Sequence, residues 1–133
     1  MADNPRNKTI LVVDDDETIC EFFQALLSKD GFNVVSAHNG NAALSLLKQS
    51  KTSPVSLIIL DLMMPDPDGY KVLLELQEKL SEVPIVIATS RSLEKVTLEK
   101  MRKESNVKSF WQKPIHPRKF KQEIHRILGT AYP

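Results

Sequence analysis

Acidic, hydroxyl and amine side chains follow separate apolar runs of this sequence. Asp14 and Asp15 follow ILVV, and Asp61 follows LIIL. Thr89 follows IVIA, and Lys113 follows FWQ. Two carboxylates about 5 Å apart at an effective dielectric of about 20 repel by roughly 3 kcal/mol, so a group of three calls for a cation. Mg²⁺ prefers carboxylate, water and phosphate oxygens, and a carboxylate accepts a phosphoryl group where charge is neutralised. These residue types predict phosphoryl transfer to a carboxylate.

Five short apolar runs, each bounded by polar or turn residues, predict β-strands. Three of them are almost continuously apolar (ILVV, LIIL and IVIA), which is typical of strands buried on both faces of a parallel sheet. The predicted strands are Thr9–Val13, Asn33–Ala37, Ser56–Leu60, Pro84–Ala88 and Val107–Gln112.

Apolar residues at three- and four-residue spacing between these runs predict five helices. Asp16 and Asn39 are predicted N-terminal caps, and Gly31 and Gly129 are predicted helix ends. Pro117 suits the first turn of the last helix. The helical segments are Ile19–Leu27, Ala42–Leu47, Tyr70–Leu80, Leu93–Glu104 and Pro117–Leu128.

The β-α alternation, repeated five times, predicts an α/β fold with a doubly wound, five-stranded parallel sheet and five helices. The carboxyl ends of parallel strands meet at one edge, so the side chains that follow the strands are expected in one small region. Residues 1–133 are expected to form one domain, with a core of about residues 8–129 and loose ends at Met1–Lys8 and Thr130–Pro133.

The composition excludes several classes of protein. A net charge of +1 gives no field towards nucleic acid or membrane, and a hydrophobic share of 41% is ordinary for a globular domain. No apolar run approaches the ~20 residues of a membrane span. The polar start, Met1–Lys8, has no apolar signal core, so a cytoplasmic protein is expected. Cys20 has no partner cysteine and is expected to be a core residue.

Histidines and basic residues elsewhere in the chain show no functional spacing. The three histidines (His38, His116 and His125) match no metal or catalytic pattern and are expected at the surface or as helix caps. The basic residues of the last helix are expected to form a solvated face rather than a nucleic-acid surface. They are Arg118, Lys119, Lys121 and Arg126.

Four runs, ILVVDD, LIILDLMMPDPDG, VPIVIATS and FWQKPI, together resemble the receiver domain of two-component response regulators. The resemblance covers about Lys8 to Gly129 and implies the flavodoxin-like strand order 2-1-3-4-5. It implies a regulatory phosphoacceptor domain rather than an enzyme. Such a domain assists its own phosphorylation and dephosphorylation. The sequence departs from the family before the fifth strand, where Asn106 is expected to supply a left-handed turn in place of glycine.

The resemblance implies roles around the acidic residues. Asp61 resembles the phosphoacceptor of the family. Asp14, Asp15 and Asp61, with the backbone carbonyl of Met63, are expected to hold Mg²⁺ or Mn²⁺. Met63 and Arg91 stand at positions that tune the lifetime of the phosphate in the family.

The phosphate contacts are also implied by the resemblance. Thr89 resembles the switch hydroxyl, and the backbone N–H of Ser90 is expected to bind the phosphate. Lys113 resembles the phosphate-pairing lysine, joined to Pro114 by a cis peptide bond. Phe110 stands at the position of the switch aromatic side chain.

The implied phosphodonor is a sensor histidine kinase or a histidine phosphotransfer protein. The implied output surface consists of the fourth helix, the fifth strand and the fifth helix, and it would bind an unknown downstream protein. A monomer or a weak dimer through this surface is expected, without direct contact to nucleic acid or membrane.

Three other functions compete with this interpretation. Asp14 to Thr18 also resembles the D-x-D-x-T motif of haloacid dehalogenase-like phosphohydrolases, which would use Asp14 and Asp16. That alternative leaves Asp61 without a role, and only 20 residues follow Lys113, where the family needs another acidic motif. A flavin-binding module would need Ser, Thr and Gly where this chain has three Asp. A degenerate receiver would act by interaction alone.

Overall fold

A five-stranded parallel sheet forms the centre of the computed structural model, which describes residues 3–49, 55–62, 72, 74, 75, 78, 82–90 and 106–132. The strands lie in the order β2-β1-β3-β4-β5, and all four neighbouring pairs are parallel. The predicted fold and strand order are therefore confirmed. The strands are β1 (Thr9–Val13), β2 (Asn33–Ala37), β3 (Leu57–Leu60), β4 (Ile85–Thr89) and β5 (Val107–Gln112).

Helices lie between strands in the described part of the chain, as the alternation predicted. The first helix is Glu17–Ser28, the second is Gly40–Gln49, and the last is Pro117–Leu128. Residues 72, 74, 75 and 78 are helical as well, which fits the third predicted helix, while the fourth lies outside the described residues.

The helix ends follow the predicted capping chemistry. Asp16 Oδ1 accepts a hydrogen bond from Thr18 N at 2.9 Å, and Asn39 Oδ1 accepts one from Ala42 N at 2.8 Å. Gly129 ends the last helix with φ at 68°, a left-handed conformation that glycine adopts without a Cβ clash. Because the caps fix where the helices begin, they also fix the short loops that carry the acidic residues.

Successive residues of the central strands face two separate apolar layers. On β1, Ile10 and Val12 pack in the layer that includes Phe23 and Phe120 of the first and last helices. Leu11, which faces the other side of the sheet, packs in the layer that holds the second helix. Burial of a Leu or Ile side chain contributes about 1.5–3 kcal/mol, so these continuous apolar strands hold the edge from which the polar loops emerge.

Asp3 is joined to Gly129 and Thr130, so the prediction of loose ends was wrong for the described residues of the two terminal segments. Asp3 N donates to Gly129 O at 2.8 Å, and Asp3 pairs with Thr130 in a parallel bridge. Residues Pro5–Asn7 form a short 3-10 helix between this bridge and β1. No apolar pattern predicts this pairing, because backbone groups make most of it.

Two polar side chains of the last helix also differ from expectation. His125 is buried at 1% exposure, whereas His116 caps the helix as predicted by accepting from Lys119 N. Lys121 is largely buried and its Nζ donates to Asp30 Oδ1 at 3.0 Å, so it does not belong to the solvated face. Arg118, Lys119 and Arg126 are exposed, as expected.

Asn106 does not take the left-handed conformation that its position suggested, because no non-glycine residue in the described part of the chain has a positive φ. Its side chain is buried instead and donates from Nδ2 to Val83 O at 3.3 Å. Its backbone oxygen accepts from Ile85 N at 2.7 Å, which starts the pairing of β4 with the chain before β5.

Candidate functional site

Four strands deliver chemically capable residues to one edge of the sheet. Asp14 and Asp15 follow β1, Asp61 follows β3, Thr89 ends β4, and Lys113 follows β5. Parallel pairing continues to these positions, which fixes their backbones. Asp61 N donates to the carbonyl oxygen at the end of β1 at 3.0 Å, and Lys113 N donates to Thr89 O at 2.7 Å. The site is thus positioned by strands rather than by free loops.

The three carboxylates form one acidic group. One oxygen of each of Asp14, Asp15 and Asp61 lies within 4.8 Å of the others. Asp14 is 2% exposed and Asp61 is 6% exposed, whereas Asp15 is exposed. Asp16 stands next to this group in sequence but caps the first helix from the surface. The group therefore has a buried floor and one open side.

Lys113 places its ammonium group between the two buried carboxylates. Its Nζ lies 2.5 Å from Asp14 Oδ2 and 3.3 Å from Asp61 Oδ2. Among the described residues, three carboxylates and one ammonium group leave a formal excess of two negative charges. A divalent cation would balance that excess, and oxygen-only donors are those that Mg²⁺ prefers.

Burial and charge act on these groups in opposite directions. Burial raises the pKa of the Asp14 carboxyl above its usual range, and hydrogen bonds from Lys113 Nζ and Asp16 N offset only part of that rise. Burial alone would lower the pKa of Lys113, but the hydrogen bond and charge of Asp14, with those of Asp61, outweigh it and raise the pKa. Lys113 is therefore charged at neutral pH.

Thr89 brings an unused hydroxyl to the same edge. Its side chain is buried, and within the described ranges its Oγ1 is the only buried side-chain polar atom without a hydrogen-bond partner. A buried polar group without a partner costs roughly 1–3 kcal/mol, so folded proteins rarely leave one unless a ligand or water uses it. The Thr89 hydroxyl is therefore available to a ligand at this edge of the sheet.

The other predicted site residues lie around this centre. Ser90 is exposed and directly follows Thr89, and Phe110 is half-buried on β5 in the layer of the second helix. The peptide bond between Lys113 and Pro114 is cis. Met63 and Arg91 lie outside the described residues, and their roles stay predictions.

An apolar crevice beside Lys113 was not predicted from the sequence. It encloses about 150 Å³ and is lined by Ile19, Phe22, Phe23, Lys113, Pro114 and Ile115. The first helix carries two adjacent apolar stripes, one buried and one half-buried. The combined width of these stripes in the sequence could have indicated the crevice. Packing on the sheet alone requires one buried stripe, and Cys20, Phe23 and Leu27 already form it.

Comparison with known proteins places the chain among signalling domains. Residues 10–125 match the family model of the response regulator receiver domain. The alkaline phosphatase synthesis transcriptional regulatory protein PhoP of Bacillus subtilis is 34% identical over 125 residues, which are 94% of this chain and 50% of that protein. The chain spans about half the length of the curated relatives it matches.

Solved structures agree with this match. The response regulator protein TrrA of Thermotoga maritima, crystallised with Mg²⁺-BeF, has a TM-score of 0.76 and 28% identity, over 91% of this chain and 99% of that chain. The non-phosphorylated HemR receiver domain of Leptospira biflexa has a TM-score of 0.79 and 25% identity, over 95% and 98%. Within the described part of the chain, no helix has the length and apolar character to cross a membrane.

Proposed function

This chain belongs to the family of response regulator receiver domains, and from that premise we propose that Asp61 accepts a phosphoryl group from a protein phosphohistidine. The observation that carries the proposal is the position of the Asp61 carboxylate. It is buried, it lies 3.3 Å from Lys113 Nζ, and it shares an acidic group with Asp14 and Asp15. The domain is regulatory, and it assists its own phosphorylation and dephosphorylation by holding the reacting groups in place.

Mg²⁺, or Mn²⁺, is the proposed cofactor. The residues fit such an ion because the donors are oxygens, they lie within 4.8 Å of one another, and their charge is in excess. Asp14, Asp15 and Asp61 would hold the ion together with the backbone carbonyl of Met63. The TrrA relative was crystallised with Mg²⁺-BeF, which supports the same choice for this chain. When bound, the ion neutralises charge on the phosphoryl oxygens.

The transfer step uses Asp61 as the nucleophile. One carboxylate oxygen forms a bond to phosphorus while the phosphorus–nitrogen bond of the phosphohistidine breaks, and the leaving imidazole keeps the electron pair and takes a proton from solvent. The Lys113 ammonium group moves from the carboxylate to the phosphoryl oxygens and neutralises their negative charge. Thr89 Oγ1 and the backbone N–H of Ser90 donate to the bound phosphoryl group, and Phe110 turns inward behind Thr89.

The proposed donor is a sensor histidine kinase or a histidine phosphotransfer protein in the cytoplasm. The output is a shift in population of the surface formed by the fourth predicted helix, β5 and the last helix, which binds an unknown downstream protein or forms a weak dimer. Met63 and Arg91 tune the lifetime of the phosphate. Residues 1–133 act as one receiver domain in this proposal.

The alternative phosphohydrolase with Asp14 and Asp16 as its acidic pair is not supported. The chain matches the receiver family over residues 10–125, and Asp16 is an exposed helix cap that lies outside the acidic group.

A small phosphodonor such as phosphoramidate, with Mg²⁺, tests the proposal. Intact-mass spectrometry should show one phosphoryl group on the wild type and none on Asp61→Asn, which keeps the shape but removes the nucleophilic oxygen. Asp16→Asn is the matched control, because asparagine caps helices as well as aspartate does and this residue lies outside the acidic group. Undiminished labelling of Asp61→Asn would overturn the assignment.

A further inference from the structure

A second polar cluster lies at the opposite edge of the sheet, near the places where the strands begin. Its centre is His125, which is 1% exposed and lies near the end of the last helix. His125 Nε2 lies 2.9 Å from Asp30 Oδ2, and Nδ1 lies 2.6 Å from Thr130 Oγ1. Lys121 Nζ donates to the other carboxylate oxygen of Asp30 at 3.0 Å. Asp30 follows the first helix, so the cluster joins three separate parts of the chain.

The order carboxylate, imidazole, hydroxyl is also the order of a hydrolytic triad, but the setting differs. A nucleophilic hydroxyl must reach a substrate. Thr130 is 7% exposed, its N–H donates to His125 O at 3.0 Å, and the residue is held in a bridge with Asp3. The hydroxyl therefore faces the protein interior, and the cluster fastens the chain rather than cleaving a substrate.

The terminal segment Gly129–Tyr132 is held on this cluster by further contacts. The Tyr132 ring meets the His125 ring edge-on at 5.6 Å, and Lys121 Nζ lies 5.9 Å from the centre of the Tyr132 ring. Asp3 N donates to Gly129 O, so the N-terminal segment is attached to the same place. The His125 ring also packs on Phe32 at 4.9 Å, which anchors the cluster at the start of β2.

We propose that Asp30, Lys121, His125 and Thr130 form a latch that holds the segment Gly129–Tyr132 against the last helix and the N-terminal segment. The Asp30 carboxylate acts through the His125 ring, whose orientation it fixes. The latch thereby ties the end of the first helix, the last helix and both chain ends into one unit. It fixes the point at which the segment Gly129–Tyr132 leaves the last helix.

Amide hydrogen exchange on the full chain tests the latch. Asp30→Asn and Thr130→Val each remove part of the chain of hydrogen bonds, the second with almost no change in shape. We expect roughly tenfold faster exchange at Asp3 N, which donates across to Gly129, and at Thr130 N, because each bond lost opens the segment locally. In Thr130→Val, the strand amides of β1 and β3, which report global unfolding, should change less than Asp3 N. In Asp30→Asn the loss of the buried ion pair should speed these strand amides as well.

Matched controls separate the latch from general destabilisation. Glu123→Gln breaks the surface pair with Arg126 on the same helix, and Thr18→Val repeats the hydroxyl deletion at an exposed position. Both should leave the exchange of Asp3 N unchanged. Unchanged exchange at Asp3 in Thr130→Val would overturn the latch. In Thr130→Val, an equal rise at Asp3 and at the central strand amides would overturn it as well, because that result indicates only a less stable fold.

Discussion

The acidic site and the latch are built from similar groups, but their charges are balanced differently. In the acidic site, three carboxylates face one ammonium group among the described residues, and a buried hydroxyl lacks a partner. In the latch, one carboxylate faces an ammonium group and an imidazole, and both imidazole nitrogens have partners. The latch is complete in the folded chain, whereas the acidic site keeps charge and hydrogen-bonding capacity for a ligand.

Removing the carboxylate of the latch should have the largest effect on stability. Asp30→Asn leaves Lys121 and His125 without their buried anion, and breaking a buried ion pair from one side costs roughly 2–4 kcal/mol after the hydrogen bonds that asparagine retains. Urea unfolding at neutral pH measures the loss. Glu123→Gln should leave the unfolding free energy almost unchanged, because the pair is an ordinary surface pair. A loss of similar size in both variants would remove the contrast.

The same carboxylate gives a pH dependence with a definite sign. Burial alone would raise the pKa of Asp30, but hydrogen bonds from His125 and Lys121 outweigh it and hold the pKa below the usual 3.8. A carboxyl with a lowered folded pKa stabilises the fold above its unfolded pKa and loses that contribution as the pH falls through the folded value. At pH 5 the unfolding free energy of the wild type should exceed that of Asp30→Asn. This difference in unfolding free energy should shrink as the pH falls below 3.8.

Removing the cation of the acidic site should slow the chemistry. Lys113→Met keeps the length of the side chain but takes away the charge that meets the phosphoryl oxygens. We expect phosphoryl transfer to Asp61 to slow by about 10²-fold, equivalent to about 2.7 kcal/mol of barrier. The time course of labelling by phosphoramidate measures it. Lys119→Met, at an exposed position nearby, is the control. An unchanged rate in Lys113→Met would show that Lys113 does not meet the phosphoryl group.

Removing an exposed carboxylate from the acidic site should have a small effect of the opposite sign. Without metal, Asp15→Asn relieves repulsion with Asp14 and Asp61, and the unfolding free energy should rise by up to about 1 kcal/mol. Mg²⁺ at ten times its dissociation constant should stabilise the wild type by about 1.4 kcal/mol and stabilise this variant much less. Thermal unfolding with and without Mg²⁺ measures both effects. Destabilisation of metal-free Asp15→Asn would contradict the excess of negative charge.

The acidic site could be predicted from the sequence because each member stands next to its own strand. Asp61 follows LIIL and Lys113 follows β5, so finding the strands was enough to bring the side chains together. The strand order itself came from the family resemblance, since apolar patterns do not specify which strands are neighbours.

The latch could not be predicted in that way. Asp30 and His125 are far apart in sequence, and their contact depends on how the first and last helices pack. The available signal was the spacing of Lys121, His125 and Leu128, which places two polar residues on the buried side of an amphipathic helix. Asn106 was missed for a related reason: its side chain found a tertiary acceptor at Val83, whereas the sequence suggested only a local turn.

The unpartnered hydroxyl of Thr89 has a consequence for the two-state equilibrium of the domain. A missing hydrogen bond of roughly 1–3 kcal/mol corresponds to a factor of about 5 to 150 in relative population. An acceptor oxygen near Thr89 Oγ1 would stabilise, by that free energy, the conformation in which the hydrogen bond forms. Under the function proposed above, a phosphoryl group on Asp61 would supply such an oxygen and would favour the conformation in which Thr89 Oγ1 donates to it.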